Sequence, residues 1–269
     1  MGKLFKKVRV LRNNRNKKAC IIMIFLIAVV IIACGKKELK DKKVIIYAAA
    51  SMTESLSDAV EEITEKHPDI EIKVSFNSSS KLRLQIEQGA DVDIYISASK
   101  SQYDKLKEKV DFEKDKKFLS NEIIIAVNNK NNIEKWNEIH RDYKVLKAED
   151  YVPAGEYANK LLKKLNGIEN GFSEKVLSNV VSEEINVKQV VNKLYLGEGD
   201  VGFIYNTDLT EKVKDRLYKL DVPEEMKVKS NYYICLLKNE EDNIEVFNEL
   251  LSYDIKKIFR KYGFSIVKN

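Results

Sequence analysis

Short apolar runs and helical stripes alternate along most of the chain. Val44–Ala48 is a short run of β-branched and aromatic residues, which predicts a strand. After it, apolar residues recur at helical spacing, so a helix should follow and stop before Pro68. Further strands are predicted at Ile70–Phe76 and Asp93–Ser97, each followed by a helical stretch. Strand–helix alternation of this kind predicts an α/β fold, with a parallel sheet and helices on its faces.

The alternation continues through the second half of the chain. Asn121–Asn129 is the most strand-like run, one helix is predicted to begin at Pro153, and another ends at Gly197. The last part returns to a strand at Tyr232–Leu237 and to one C-terminal helix at Ile244–Arg260. No change in composition marks a domain boundary. This uniformity favours two lobes joined by crossing strands over separate domains in series.

The beginning of the chain has a different composition from the rest. The first 18 residues carry eight basic residues and no acidic residue, and Ala19–Cys34 is an uninterrupted apolar run of 16 residues. A basic segment, an apolar segment and a small residue before the cleavage point are typical of a secretory signal peptide. A permanent transmembrane helix needs about 20 apolar residues, so this run is a little short for one.

The end of the apolar run resembles the lipobox of bacterial lipoproteins. Ala33 and Gly35 flank Cys34, the residue that is lipidated and becomes the new N-terminus in such proteins, and Ile31 stands where leucine is commonest. The prediction is a signal peptide at residues 1–34, a lipid anchor at Cys34 and a charged, flexible tether at residues 35–43. A plain membrane anchor or a buried cysteine are the alternatives. Cys235, in a strand-like segment, is predicted to be a small core residue.

The body of the chain is slightly acidic once the leader is set apart. The formal net charge of the whole chain is +5, but without the eight basic residues of the leader 39 basic residues face 42 acidic ones. The remaining net charge is therefore −3. The sequence gives no electrostatic footprint for nucleic acid, so no nucleic-acid partner is predicted.

Motifs for catalysis are absent from the sequence. Its two histidines, His67 and His140, do not lie near a serine or cysteine in a recognisable nucleophile motif. The sequence contains no phosphate-binding loop of the Walker type, no dinucleotide-binding glycine pattern and no Cys/His metal cluster. We therefore expect a protein that is not an enzyme, that needs no cofactor and that binds no metal cation directly.

Four predicted helices begin with small, hydroxylic or capping residues. The four segments are AAASM, FNSSSKL, YVPAGEY and EINVKQVV. A helix N-terminus offers unpaired N–H groups and a partial positive charge, which together favour an anion. In an open α/β sheet the ligand crevice lies at the carboxyl ends of the strands, where these turns are predicted. Each start alone is typical of an ordinary cap; the four together indicate an anion site.

Six segments follow one another along the chain: VIIYAAASMTESLSDAVEEI, FNSSSKLRLQIEQGADVDIYISAS, VPAGEYA, NVKQVV, VGFIYNTD and IFRKYGFSI. Together they resemble the molybdate-binding proteins of bacterial ABC transporters, and the resemblance runs from Val44 to Val267. The resemblance implies a periplasmic-binding-protein fold, with two α/β lobes, a hinge and a ligand cleft between them. The predicted lobes are residues 44–121 plus 231–269 (lobe I) and 122–230 (lobe II).

The resemblance also implies a ligand-binding set. Carried over residue by residue, the family's contacts fall on Ser51, Ser80, Ala154, Val187 and Tyr205. The two serines would offer a hydroxyl and a backbone N–H, the alanine and valine a backbone N–H, and the tyrosine its hydroxyl. All five supply donors and none is charged, which suits a fully deprotonated dianion such as molybdate or tungstate.

The predicted function is therefore an extracytoplasmic receptor, anchored to the outer face of the cell membrane through Cys34. As a monomer, it would bind molybdate and tungstate and deliver them to ABC permease subunits. A receptor for sulfate or another tetrahedral oxyanion is the alternative. A surface hydrolase or an adhesion protein on the same scaffold is a third reading, because fold alone does not fix function. The missing nucleophile–base pair argues against the hydrolase, and an adhesion protein should expose a large apolar patch.

Overall fold

The computed structural model describes residues 42–267, which form ten strands and eight helices. The strands are β1 (Lys42–Ala49), β2 (Ile70–Asn77), β3 (Ile94–Ser97), β4 (Lys114–Asn128), β5 (Val145–Ala148), β6 (Val180–Glu184), β7 (Val201–Tyr205), β8 (Leu217–Leu220), β9 (Val228–Leu236) and β10 (Ser265–Ile266). The helices are α1 (Thr53–Lys66), α2 (Ser79–Glu87), α3 (Lys100–Lys107), α4 (Pro153–Asn166), α5 (Phe172–Ser178), α6 (Val187–Leu196), α7 (Glu241–Leu250) and α8 (Tyr253–Lys261). The predicted α/β class is confirmed.

The predicted signal peptide, the lipidation site Cys34 and tether residues 35–41 lie outside the described residues. The sheet begins two residues earlier than expected, because Lys42 and Lys43 pair with Ile70 and Glu71 of β2. These two lysines, assigned to the tether from the sequence, therefore belong to β1. Within residues 42–267 no helix is both long and apolar enough to cross a membrane.

The strands form a mixed sheet in the order β2-β1-β3-β9-β4-β7-β5-β6, with β8 and β10 paired to β4. Pairing is parallel at both ends, where β1 joins β2 and β3 and where β5 joins β6 and β7. Pairing is antiparallel in the centre, where β9 joins β3 and β4 and where β4 joins β7. The prediction of a parallel sheet is therefore correct at the two ends and wrong in the centre, where long strands return the chain in the opposite direction.

In the part of the chain that the structure describes, the buried apolar residues form two large clusters and one small one. The first large cluster takes its residues from positions 44–119 and 232–264, and the second from positions 123–228. We call the part of the chain that contains the first cluster lobe I and the part that contains the second cluster lobe II. Strands β4 and β9 run from one cluster to the other, and the boundary predicted between the lobes falls within these strands. Its position stays a prediction. The small cluster contains Cys235, which is fully buried as expected for a core residue.

The C-terminal helix predicted at Ile244–Arg260 is in fact two helices. Helix α7 ends at Leu250 and α8 begins at Tyr253. Between them, the Oγ of Ser252 accepts the N–H of Ile255 at 3.3 Å. A serine cap of this kind satisfies an orphan donor at a helix start, so it favours a break where the apolar pattern alone predicts continuity.

Candidate anion-binding site

A small cavity lies between the lobes, at the ends of several strands and the starts of several helices. It offers about 20 Å³ to the centres of water-sized atoms. Lobe I lines it with Ala49, Ala50, Ser51, Ser78, Ser79 and Ala98, and lobe II with Val152, Pro153, Ala154, Val187 and Tyr205. None of these lining residues has a charged side chain. Among the described residues, no group of three or more His, Cys, Asp or Glu side chains could hold a metal ion.

Ser51 lies at the cavity because β1 ends in small residues. After Ala49 the chain makes a short 3₁₀ turn, Ala50–Met52, and then enters α1 at Thr53. Alanine side chains leave the backbone of this turn open to a ligand. Ser51 is buried, and its Oγ lies 2.7 Å from the hydroxyl of Tyr232 on β9. The hydroxyl of Ser51 is therefore positioned by a hydrogen bond with Tyr232, and Ser51 lines the cavity.

Three serines surround the start of α2. The Oγ of Ser78 caps this helix by accepting the N–H of Lys81 at 3.4 Å, and the Oγ of Ser79 accepts the N–H of Ala98 at 3.0 Å. A hydroxyl oxygen that accepts an N–H keeps its own hydrogen available for a ligand. Ser78 and Ser79 line the cavity, whereas Ser80 lies in the same turn with its Oγ 3.2 Å from that of Ser78. Ser80 is not among the lining residues, and its role as a ligand contact stays a prediction.

Lobe II brings two helix starts to the cavity. Pro153 is the first residue of α4 and has no N–H, so Ala154 carries the first donor of that helix. Asn186 caps α6, with its Oδ1 accepting the N–H of Gln189 at 3.1 Å, and Val187 is the first residue of the helix. The first N–H groups of a helix have no partner within it. Both helices can therefore offer backbone donors to a ligand.

Gly155 allows α4 to start very close to the end of β5. A Cβ atom built at this residue would lie 2.2 Å from the carbonyl oxygen of Glu149 and 2.4 Å from that of Ala148. Both distances are far below a normal van der Waals contact, and both partners are backbone atoms. Gly155 therefore sets the position of the neighbouring Ala154 and its N–H group.

Tyr205 lines the cavity from lobe II, and its hydroxyl has no hydrogen-bond partner among the described residues. This hydroxyl is fully buried. The nearby Ser230 donates its hydroxyl to the carbonyl of Ala98 at 2.6 Å instead. Burial raises the pKa of Tyr205 well above its ordinary value, so the group is a neutral donor. An unpaired buried hydroxyl costs about 1–3 kcal/mol, and a ligand oxygen would remove that cost.

Lys188 joins the two lobes next to the cavity. Its Nζ lies 2.6 Å from Glu54 Oε2 on α1 of lobe I and 3.0 Å from Asp208 Oδ1 in lobe II. Asp208 is fully buried, and its Oδ2 accepts the N–H of Tyr205 at 3.1 Å. Burial raises the pKa of Asp208 above its usual value, and the Lys188 ammonium opposes part of that shift.

Lys188 itself stays charged. Its burial disfavours the ammonium form, but the Asp208 and Glu54 carboxylates outweigh burial and hold the Lys188 pKa above its ordinary value. The resulting group of three charges connects the start of α1, the start of α6 and the turn after Tyr205. It therefore fixes the elements around the cavity without contributing a lining residue.

A sequence profile described as bacterial extracellular solute-binding protein matches residues 44–265. The chain belongs to this family. Solute-binding proteins of this family are transport components that bind their solute without converting it, which confirms the expectation that the chain is not an enzyme.

This solute-binding protein is similar in sequence to several relatives. "Molybdate-binding protein ModA" of Haemophilus influenzae is 29% identical over 236 residues, covering 83% of this chain and 90% of the relative. "Putative ABC transporter substrate-binding lipoprotein YvgL" of Bacillus subtilis is 29% identical over 240 residues, covering 84% of this chain and 88% of the relative. The Escherichia coli ModA protein is 26% identical and covers 83% of this chain and 89% of the relative.

Solved structures confirm the predicted periplasmic-binding-protein fold. The substrate-binding domain of a putative molybdenum ABC transporter from Clostridium difficile has a TM-score of 0.64 and 26% identity, covering 85% of this chain and all of that one. The periplasmic molybdate-binding protein of Azotobacter vinelandii has a TM-score of 0.71 at 14% identity, covering 84% and 100%. The sulfate-binding protein SubI of Mycobacterium tuberculosis has a TM-score of 0.73 at 15% identity, covering 84% and 88%. Because these last two structures are only 14% and 15% identical to this chain, they show similarity of fold and nothing more.

The structure places four of the five predicted contacts at one cavity: Ser51, Ala154, Val187 and Tyr205. Sequence reasoning missed Ser78 and Ser79 as lining residues, although the run of three serines was a visible signal. It also missed Tyr232 and Asp208, which lie behind the lining residues. No local pattern marks those two residues, because their partners are distant in sequence.

Proposed function

We propose that this solute-binding protein captures molybdate, and tungstate as a dianion of nearly the same shape, and delivers it to the permease subunits of an ABC transporter. The Tyr205 hydroxyl carries the proposal, because it is buried at the cavity and has no hydrogen-bond acceptor among residues 42–267. The other polar groups at the cavity are likewise neutral donors. A tetrahedral dianion without a proton can accept at each of its oxygens, and oriented neutral donors stabilise it without a buried counter-ion. Relatives named as molybdate-binding proteins support this ligand.

The size of the cavity supports a single small tetrahedral ion. The cavity offers only about 20 Å³ to the centres of water-sized atoms, which leaves room for a small ion. The cavity therefore suits one such ion, without an additional organic group.

The leader supports a place outside the cytoplasm. The predicted signal peptide would export the chain, and lipidation of Cys34 would hold the monomer at the outer face of the cell membrane. The description of the family as extracellular and the Bacillus subtilis relative named as a lipoprotein support this arrangement.

A receptor for sulfate or another tetrahedral oxyanion is the second candidate. Neutral donors suit every fully deprotonated dianion, and only the separation of the donors distinguishes a larger ion from a smaller one. Calorimetric titration of the purified chain with molybdate, tungstate, sulfate and phosphate separates the candidates. Heat with molybdate or tungstate at the lowest concentrations supports the proposal. Binding of sulfate or phosphate alone contradicts it.

Replacing Ser51 with alanine is expected to weaken molybdate binding by about 1–3 kcal/mol, because the ligand loses a buried donor. Isothermal titration of wild type and variant measures the change. Ser57→Ala is the matched control, since Ser57 lies on α1 but donates to the carbonyl of Thr53 at an exposed site. Equal affinities in Ser51→Ala and the wild type would remove Ser51 from the site.

Replacing Tyr205 with phenylalanine should have opposite effects on the free and the bound protein. Without ligand, the change removes a buried hydroxyl that has no partner, so the melting temperature should stay the same or rise. With molybdate, the change removes a donor, so affinity should fall by about 1–3 kcal/mol. Thermal unfolding with and without molybdate measures both effects. A lower melting temperature of the free variant would mean that the hydroxyl has a structural partner.

A further inference from the structure

A chain of buried hydrogen bonds extends from the cavity to the strands that cross between the lobes. Ser51 Oγ lies 2.7 Å from the hydroxyl of Tyr232, and that hydroxyl accepts from Nδ2 of Asn121 at 3.4 Å. The same Nδ2 donates to Oγ1 of Thr207 at 2.7 Å. Asn121 and Tyr232 lie on β4 and β9, and all four side chains are buried. The donor and acceptor roles along this chain decide which way the hydroxyl hydrogen of Ser51 points.

The Asn121 amide fixes the directions of the hydrogen bonds at the end of this network that is furthest from the cavity. Its Oδ1 accepts the backbone N–H of Glu122 at 2.9 Å, so the oxygen and the nitrogen of the amide have distinct partners. An amide nitrogen carries two hydrogens and cannot accept. One hydrogen goes to Thr207 and the other to Tyr232. The Tyr232 hydroxyl is therefore an acceptor on the side that faces Asn121.

Tyr232 carries a single hydroxyl hydrogen, and it can donate this hydrogen to Ser51. Within residues 42–267 the Tyr232 hydroxyl has two hydrogen-bond partners, Asn121 and Ser51, and Asn121 only donates. Burial raises the pKa of Tyr232 far above its ordinary value, so the hydrogen stays on the phenol. Ser51 Oγ must then accept from Tyr232, and its own hydrogen is free. Because Ser51 lines the cavity, that hydrogen is available to a ligand there.

We propose that Tyr232 is a positioning residue that makes Ser51 an obligate hydrogen-bond donor and so disfavours oxyanions that carry a proton. This inference rests on the proposed function of the cavity as an oxyanion site. A bare oxygen accepts the Ser51 hydrogen. A ligand O–H placed there would bring two hydrogens together. Ser51 could accept it only by turning its own hydrogen to a side where the described residues offer no acceptor. These hydrogen bonds thus make the site selective for the protonation state of the ligand, in addition to the selection by ligand size.

Tyr232→Phe in the full-length chain tests this role. Sulfate and hydrogen phosphate are the probes, because in mildly alkaline solution they share charge and shape but only phosphate carries a proton. The wild type should bind sulfate more tightly than phosphate, and the variant should lower this affinity ratio about tenfold. Without the phenol, Ser51 can turn its hydrogen to the vacated side and accept the phosphate O–H. A purely structural role for Tyr232 would weaken both ions by the same factor and leave the ratio unchanged, which would overturn the inference.

Three further variants make the result decisive. Ser51→Ala combined with Tyr232→Phe should show the same ratio as Ser51→Ala alone, because the tyrosine acts through the serine. Tyr218→Phe is the control, since its hydroxyl bonds the carbonyl oxygens of Asn131 and Ile133 away from the cavity, at 3.1 and 2.7 Å. Its ratio should equal that of the wild type. If Tyr232→Phe does not fold, Asn121→Ala keeps the tyrosine but frees its hydroxyl, and should narrow the ratio in the same direction.

Failure of the proposed function gives a different result. A wild-type chain that binds none of molybdate, sulfate and phosphate would contradict the oxyanion site itself. A wild-type chain that binds molybdate would contradict only the role of Tyr232 in two cases: if it does not prefer sulfate to phosphate, or if the ratio is unchanged in Tyr232→Phe (in Asn121→Ala where Tyr232→Phe does not fold).

Discussion

Replacing Lys188 with methionine is expected to lower the free energy of unfolding by about 3–5 kcal/mol at neutral pH. The change leaves the fully buried Asp208 carboxylate without its cation, which lies 3.0 Å away in the wild type. An uncompensated buried charge is among the most destabilising features that a single substitution can create. The same change also removes the ion pair with Glu54, which connects lobe II to lobe I. Urea unfolding of the ligand-free chain measures the loss.

The pH dependence of the Lys188→Met variant identifies Asp208 as the cause. Burial already raises the pKa of Asp208 above its unfolded value, and loss of the cation raises it further. A folded pKa above the unfolded one means that stability falls as the pH rises from the unfolded pKa through the folded one. The variant should therefore be closest to the wild type in acid and furthest from it at neutral pH. Unfolding curves between about pH 4 and about pH 8 test this.

Two further variants complete the test. Lys188→Met combined with Asp208→Asn should recover most of the stability, because a neutral amide can still accept the Tyr205 N–H. Lys214→Met is the control, since its ion pair with Glu211 is exposed and should contribute less than about 1 kcal/mol. Equal losses in Lys188→Met and Lys214→Met would mean that the buried pair does not stabilise the fold.

The elements that the sequence predicted best are those whose burial follows a local period. Helices α1, α4 and α6 each bury one apolar face, so a period of 3.6 residues locates them. Strand β5 was missed for a physical reason: it has four residues, and one of them is Lys147. That lysine is buried and paired with Asp150 and Glu183. A charge inside a short run conceals a buried strand unless its distant partners are known.

The direction of strands β4 and β9 could not be predicted from local pattern. Asn121 pairs with Ser230, more than a hundred residues further along the chain, and nothing near either residue specifies an antiparallel partner. The helix starts at the cavity were predictable, because caps, proline and small residues are local signals. Tyr232 and Asp208 were not predictable, because each acquires its role from residues on other elements.

Replacing Gly155 with valine is expected to destabilise the fold and abolish tight ligand binding together. The new Cβ would lie 2.2 Å from a backbone carbonyl oxygen, so the start of α4 must move away from β5. Overpacking typically costs about 1–3 kcal/mol, and this case should lie at the upper end because the neighbour is backbone that cannot rotate away. The movement also displaces the Ala154 N–H from the cavity. Molybdate affinity should therefore fall by at least about a hundredfold, since misplacing a group by about 1 Å can have an effect of that size.

Gly167→Ala separates this effect from a general loss of helix stability. Gly167 caps the other end of α4 with helical backbone angles. A new Cβ there would lie 3.1 Å from the backbone oxygen of Lys164, a tight contact that a shift of a few tenths of an ångström relieves. Alanine is compatible with that conformation, so stability should change by less than about 1 kcal/mol and affinity should stay the same. Thermal unfolding and calorimetric titration of both variants give the comparison. The close approach of α4 to β5 places Ala154 at the cavity. If Gly155→Val bound molybdate as tightly as the wild type, the start of α4 would therefore not contact the ligand.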